Sequence, residues 1–404
     1  MNILIYTQKS NYLGFSVGGA ETSLRMLAEK LAGEGHTVVY LTEMKWGRFY
    51  KQESEVTNGV KVHFVGFPDL PSKGIGLLLK FRKKVVEYFF YKTAEKLIRK
   101  YNIELVHTYH EVPAMYRFLK LRERKNLNYI TVLRNGGKFW VEKLKKNPAL
   151  EYQFRYVFNQ VDSVNFNTPG MKDLFEEACV NMQLDIQPRH FFVQDIGLDF
   201  GLIKSRWEFA EKDTLTMVMA SRFSTHQKRQ KLLVEAVALL PDKIPFRLIL
   251  VGEGPEKETV ENLVLERGVE DRVKITSYME QQDLWKLIAG SDLYVHACDF
   301  EGLSKMIIEA MAMGVPVLAS DVAPLNDYLS DGKNGFLVKN DAGLWAEKIE
   351  KIYRDWKSLP AISNAAKATI KSHYLADVNV KKYERYFGEL LSETTKSTKD
   401  TKIN

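Results

Sequence analysis

Along the chain, short runs of consecutive apolar residues alternate with longer stretches whose apolar positions recur every three to four residues. The first pattern suits a strand buried on both faces of a parallel sheet, the second a helix with one covered face. In the first half, residues 2–7 read as a buried strand. A loop ending in Gly18-Gly19 follows, then an amphipathic helix over about 20–33. Further strands are predicted at 37–42, 60–66, 104–108, 129–133 and 163–167. The second half restarts the alternation, with strands at 215–220, 246–252, 273–276, 293–296 and 315–319. Helices are predicted there at 231–240, 282–288, 304–313, 342–355 and, closing the fold, 378–391. Gly252-Glu253-Gly254-Pro255 marks a sharp turn after its strand.

Such alternation implies parallel sheets covered by helices. The restart divides the chain near 194–199. An N-terminal domain over 1–195, rejoined by the closing helix 378–391, and a C-terminal domain over 196–377 are expected. The polar tail 392–404 is expected to be disordered. In doubly wound domains ligands gather at the C-terminal ends of the strands, and two such domains in tandem can turn those ends toward a shared cleft.

Composition adds exclusions. At 45% hydrophobic and 27% charged residues, 404 residues supply an ordinary globular core, and wholesale disorder is excluded. Cys179 and Cys298 are the only cysteines, which excludes a disulfide scaffold and a cysteine-rich zinc site. That usage fits a reducing, cytoplasmic compartment. No secretory leader is expected from MNILIYTQKS, and no apolar run reaches the ~18 residues of a spanning helix. The charge is uneven. Residues 1–195 hold 29 Lys/Arg against 20 Asp/Glu, whereas 196–404 hold 29 against 31. A basic half suggests an anionic partner surface, or simply a solvated basic face.

Candidate chemistry concentrates in 299–320, DFEGLSKMIIEAMAMGVPVLAS. Glu301 falls in a turn and Glu309 inside the following helix. The amides of Gly302, Leu303 and Ser304 would be free donors at that helix N-terminus, where electron-rich oxygens are attracted. A carboxylate at 301 could accept sugar hydroxyls, and one two turns deeper could hold a vicinal diol. Both could equally be ordinary helix-end glutamates.

The segment resembles the E-x7-E signature of the retaining glycosyltransferases of GT-B fold, in particular the glycosyltransferase group 1 family (glycosyltransferase family 4). Four other segments extend the resemblance in order: Gly18-Gly-Ala-Glu21, Ala220-Ser-Arg222 with Lys228, Leu248 to Pro255, and Asp331 to Val338. The resemblance implies two Rossmann-like doubly wound domains facing a central cleft. It implies Arg222 and Lys228 on the diphosphate of a nucleotide-sugar donor, where fixed positive charge would serve instead of a metal. It implies Glu309 on the ribose, the backbone around Tyr278-Met279 at the base, and Glu301 with the 302–304 amides on the sugar. Gly19 would approach the donor as well as the acceptor. No D-x-D triad occurs, so no metal cofactor is expected. Surface roles for Arg222 and Lys228, and a packing role for Tyr278, are the plain alternatives.

Leu105-Val-His107-Thr-Tyr-His110-Glu-Val-Pro113 resembles the family's D-x-x-H-x-H-x-x-P segment, with Tyr109 standing at the second histidine. His110, one residue later, is the nearest imidazole and is expected to face the reacting sugar, with His107 the alternative. A buried structural histidine remains the plain reading. The other six histidines show no metal-ligand spacing. Around the sugar pocket the family's Pro-Ser, E-G-F-G and G-G-x-P-E are replaced by Ala297-Cys298, Glu301-Gly-Leu-Ser304 and Ala323-Pro-Leu-Asn-Asp327, which leaves the donor sugar open.

Residues 77–100, LLLKFRKKVVEYFFYKTAEKLIRK, carry eight basic residues against Glu87 and Glu95, interleaved with an apolar stripe. Such a helix can lie on an anionic bilayer, or pack its stripe on its own sheet, and both hold together if it is mostly core with its rim on lipid. No nucleic-acid-binding motif occurs, so nucleic acid is not an expected partner. The resulting expectation is a cytoplasmic hexosyltransferase of polysaccharide biosynthesis, peripheral on the inner face of the membrane. It would pass sugar from the C-terminal domain to a glycan or lipid-linked acceptor held by Gly18, Gly19 and His110. The alternatives are a non-catalytic subunit of the same fold that recruits a partner at the membrane, or a nucleotide-sugar epimerase.

Overall fold

A computed structural model of the chain describes residues 1–8, 12, 19–44, 55–66, 76–109, 112–134, 144, 147, 149–224 and 227–400. Two compact units emerge. One comprises Met1–Asn167, Lys172–Ile196 and Ala376–Asn404, the other Thr168–Met171 and Gly197–Leu375.

The first unit is built on an eight-stranded sheet. Its elements run β1 (Asn2–Thr7), α1 (Gly19–Gly33), β2 (Thr37–Met44), β3 (Glu55–Thr57), β4 (Val60–Gly66), α2 (Gly76–Lys100), β5 (Leu105–Tyr109), α3 (Val112–Lys125), β6 (Ile130–Arg134), α4 (Ala149–Gln160), β7 (Ser163–Phe166), α5 (Pro169–Asn181) and β8 (Phe191–Val193). The strand order is β3-β4-β2-β1-β5-β6-β7-β8. All neighbours are parallel except β3 and β4, a hairpin closed by Asn58 and Gly59 at φ 48° and 79°. That positive-φ pair suits the right-handed twist of a two-residue hairpin. β5 and β6 are buried along their whole length, as expected of central parallel strands.

The second unit contains β9 (Leu215–Ala220), α6 (Gln230–Ala238), β10 (Phe246–Val251), α7 (Lys257–Glu266), β11 (Val273–Thr276), α8 (Gln281–Ala289), β12 (Leu293–His296), α9 (Lys305–Met313), β13 (Val317–Ser320), β14 (Phe336–Val338), α10 (Ala342–Arg354) and α11 (Leu359–His373). Its six strands are all parallel, in the order β11-β10-β9-β12-β13-β14. Cores on both faces of the sheet hold Met217, Leu248 and Trp345 on one side and Val218, Tyr294 and Met311 on the other. Val315 and Pro316 precede β13 rather than opening it, two residues later than the apolar run predicts.

The chain then returns to the first unit as α12 (Ala376–Asp400). Val380, Tyr383, Phe387 and Leu390 complete the core formed by Ile3, Ile5, Leu105 and Val132. Lys30–Asp377 and His36–Glu384 contacts, with the Tyr386 ring stacked on Phe192, hold it there. The expectation of a disordered tail from 392 is corrected: the helix runs on to Asp400. Once a helix is nucleated and packed, each further residue adds a hydrogen bond for little cost, so a polar extension continues it. Residues 401–404 lie outside the described residues. Among the described residues no helix is long and apolar enough to cross a membrane.

α2 settles how its stripe is used. Phe90, Ala94, Leu97 and Ile98 are buried, whereas Phe81, Lys84, Tyr88, Lys92, Lys96 and Arg99 lie on the exposed side. Packing on its own unit therefore accounts for one face, and an aromatic–basic stripe remains on the other.

Candidate functional site

In the second unit the chain moves outward from β9 through β10 to β11, then jumps back to β12 and builds the other way. The ends of β9 and β12 form the switch point, where such sheets leave a crevice for ligands. Residues 221–224 leave β9 there, with 227–229 ahead of α6, and segment 297–304 leaves β12. They are tied to each other by Arg229 N–H to Ala297 C=O (3.0 Å) and Asp299 N–H to Gln227 C=O (2.9 Å), with an Arg229–Asp299 ion pair at 2.7 Å.

Arg222 is exposed. Its backbone is fixed by the buried Gln230 amide of α6, which donates to the Arg222 carbonyl at 3.1 Å and to Ser221 Oγ at 3.0 Å. The turn after β10 lies directly against it. Phe223 N–H donates to Glu253 C=O at 3.0 Å. Gly252 and Gly254, at φ 149° and 153°, come so close that a Cβ on either would collide with the Ser221 or Phe223 carbonyl. Only glycine allows that approach.

Lys228 and Glu301 are both largely buried and form an ion pair through Nζ and Oε2. His296, at the end of β12, is 1% exposed, with Nε2 3.0 Å from Lys228 Nζ and 3.1 Å from Glu301 Oε2. Burial would raise the Glu301 carboxyl, but the Lys228 ammonium overrides it and holds the group at about 2. Burial, aided by Lys228, pushes the His296 imidazole down to about 4. At neutral pH the Glu301 carboxylate is therefore ionised and the imidazole beside it neutral.

Glu309 is buried in α9. Trp285 Nε1 and Gln281 Nε2, both from α8, donate to its Oε2 at 2.7 and 3.0 Å. Burial raises its carboxyl despite those donors. The arrangement occupies one oxygen and leaves Oε1 for another donor, which suits a diol.

The amides of 302–304 are not all free donors, contrary to the sequence expectation. Gly302 N–H is taken by Glu301 Oε1 (3.2 Å) and Ser304 N–H by Tyr328 Oη (3.2 Å), leaving that of Leu303. Tyr278 is exposed and Met279 half-buried just beyond β11. Cys298, at the family's serine position, is held by Ser320 Oγ and Asn340 Nδ2. Among the described residues no group of His, Cys, Asp and Glu is placed to hold a metal ion.

In the first unit the switch point is at β1 and β5, whose ends pair side by side at Tyr6 and Thr108. Gly19 opens α1 and is exposed. Gly18 and His110 lie outside the described residues. His107 is fully buried mid-strand against the Tyr383 and Phe387 rings, with neither ring nitrogen hydrogen-bonded. Burial, helped by Arg134, lowers its imidazole to about 3. It is a core histidine.

The segments that follow β9 and β12 thus carry the candidates Arg222, Lys228 and Glu301, and α9 carries Glu309; His296, Gln230, Gln281 and Trp285, which contact them, were not among the sequence candidates. For His296 there was a signal: an imidazole closing a run, Leu293-Tyr-Val, that is otherwise apolar.

Residues 203–369 match the family model for "Glycosyl transferases group 1", and residues 17–183 match "Glycosyltransferase Family 4". A curated relative, N-acetyl-alpha-D-glucosaminyl L-malate synthase of Bacillus anthracis, is 23% identical over 94% of this chain and 96% of its own. Sucrose-phosphate synthase from Thermosynechococcus elongatus superposes with a TM-score of 0.76 at 19% identity, covering 97% of this chain and 99% of its own. Anabaena HepE in complex with UDP and glucose superposes at 0.73 and 18%, covering 96% and 100%. The two parallel-sheet units are those of the GT-B fold.

Proposed function

The chain belongs to the group 1 glycosyltransferases, whose family models match both of its units, and from that premise we propose a retaining, metal-independent hexosyltransferase acting on a nucleotide-sugar donor and a hydroxyl acceptor. The observation that carries the donor assignment is the convergence of Arg222, the Lys228–Glu301 pair and Glu309 at one switch point.

In this reading Arg222 and Lys228 bind the diphosphate, and Glu309 Oε1 accepts from a ribose hydroxyl. The backbone at Tyr278 and Met279 meets the base, while Glu301 and the Leu303 amide meet the sugar. The bond from the sugar's anomeric carbon to the diphosphate oxygen breaks, and the new bond to the acceptor oxygen forms on the same face. The departing phosphate oxygen takes the acceptor proton. Arg222 and Lys228 stabilise the charge that develops on the diphosphate, the kind of stabilisation that lowers barriers most. Gly18, Gly19 and His110 are assigned to the acceptor side.

The acceptor is proposed to be a lipid-linked or cell-surface glycan precursor. The support is the exposed stripe of α2, where Phe81 and Tyr88, each 58% exposed, alternate with Lys84 and Lys92. Such a surface suits peripheral contact with an anionic cytoplasmic leaflet.

The test is a thermal-shift panel of UDP-, GDP- and ADP-sugars. Saturating donor at a hundredfold excess over its Kd adds about 2.7 kcal/mol of stability. The UDP and glucose bound by HepE put UDP-sugars first. Absence of any shift would remove the donor assignment. Incubation of donor with a hydroxyl acceptor, followed by product analysis, separates transfer from epimerisation or from binding alone.

A further inference from the structure

We propose that His296 is a positioning residue: a neutral imidazole that accepts a hydrogen bond from the Lys228 ammonium and aims that cation at the donor's diphosphate. The proposal rests on the assignment of Lys228 given above.

The argument follows the protons outward from the core. Tyr294 is fully buried, and its hydroxyl lies 3.2 Å from the Ala220 carbonyl and 3.4 Å from His296 Nδ1. A carbonyl can only accept, so the single tyrosine hydrogen is committed to Ala220. The tyrosine oxygen is then an acceptor, and Nδ1 must carry the ring proton. That leaves Nε2 as a bare lone pair 3.0 Å from Lys228 Nζ. The other tautomer would turn Nε2–H on Glu301 Oε2, but it would set the bare Nδ1 lone pair against the tyrosine oxygen, whose hydrogen is already committed, and would crowd an N–H against the Lys228 ammonium. Nε2 and Glu301 Oε2, 3.1 Å apart, are both acceptors, and the ammonium between them reconciles them.

An ammonium has three hydrogens. His296 takes one and Glu301 the second, so both are used on fixed, buried partners and the direction of the third is determined. A lysine held by the carboxylate alone would keep rotational freedom about the pair, and its charge would be less preorganised for the diphosphate. The ring itself is fixed from behind by Tyr294, stacked 6.0 Å away. Burial keeps the imidazole neutral, which its acceptor role requires.

The experiment is a double-mutant cycle with His296→Leu, His296→Gln and Lys228→Ala, read as kcat and donor KM. Leucine fills the volume without an acceptor, and glutamine restores an acceptor oxygen. His296→Leu is expected to lower kcat about tenfold, with a smaller change in KM. His296→Gln should recover part of that loss. In the Lys228→Ala background His296→Leu should cost nothing further. Full activity in His296→Leu, or losses that add in the double variant, would overturn the proposal. If Lys228→Ala itself turns over normally, the diphosphate assignment fails instead. Nitrogen-15 spectra of histidine-labelled protein supply a readout independent of turnover and of the Leu variant's folding. The His296 signal, identified by its loss in His296→Gln, should report the Nδ1–H tautomer, and the Nε2–H tautomer would refute the inference.

Discussion

Lys228 and Glu301 would each be costly to bury alone, and they are buried together with a third group that neither repels nor competes with them. Arg222→Ala or Lys228→Ala should therefore lower kcat by about a hundredfold or more, the scale seen when one preorganised charge-stabilising group is lost. Steady-state kinetics with the donor found in the thermal-shift panel would check this. His107 offers a contrasting case, being a polar ring in the core with no partner at either nitrogen. Its folded pKa, about 3, lies below the ordinary 6.5. Below pH 6.5 the unfolded chain takes up a proton that the fold refuses. Stability from this group is complete above that pH and drains as pH falls toward 3. His107→Leu should narrow the difference between urea midpoints at pH 7.5 and pH 5. At this scale the charged candidates could be named from the sequence because motif spacing picks them out along the chain. Gln230, Gln281 and Trp285 could not, since each acts on a residue 8 to 28 positions away across the fold, through contacts that no local pattern encodes.

The strands were the most legible elements, because a parallel strand covered on both faces must be an unbroken apolar run. β1, β9 and β12 fall where that rule puts them, whereas β4 and the edge strand β11 are interrupted by Lys61, His63 and Lys274. The hairpin strand β3 was missed, although Asn58-Gly59 is a strong turn signal, because three edge residues make no apolar run. Turns are where the elements meet the site. In Gly252→Ala a Cβ would strike the Ser221 carbonyl beside Arg222, at a backbone angle side chains avoid. A loss of about 2 kcal/mol in urea denaturation is expected, with reduced turnover as the Arg222 segment shifts. For α2, read from the sequence as a helix that could be mostly core with a rim free for lipid, the exposed side is the testable one. Replacing Lys84, Lys92 and Lys96 by Glu should abolish flotation with anionic liposomes at low salt. Wild-type binding should itself weaken as salt rises, and a wild-type chain that never floats would remove the membrane contact.

At the scale of the whole molecule, the division of the chain was readable from the restart of the strand–helix alternation, and the return of the last helix from its apolar spacing. What spacing could not supply is how much of the first core that helix provides. Val380, Tyr383, Phe387 and Leu390 are buried in it, and the Tyr383 hydroxyl reaches Asn165 and the Gln194 carbonyl. A chain ending at Leu375 should lose the cooperative unfolding of its first unit and become prone to aggregate. Calorimetry would then retain only the transition of 197–375. The same return helix also sets a timetable. A ribosome emits the N-terminal unit first, and domains commonly fold in that order as they emerge. Here the leading unit lacks a side of its core until residues 376–400 are made, whereas 197–375 is complete before them. The newborn chain is therefore expected to finish 197–375 ahead of the unit that precedes it, whose core waits for α12 to emerge.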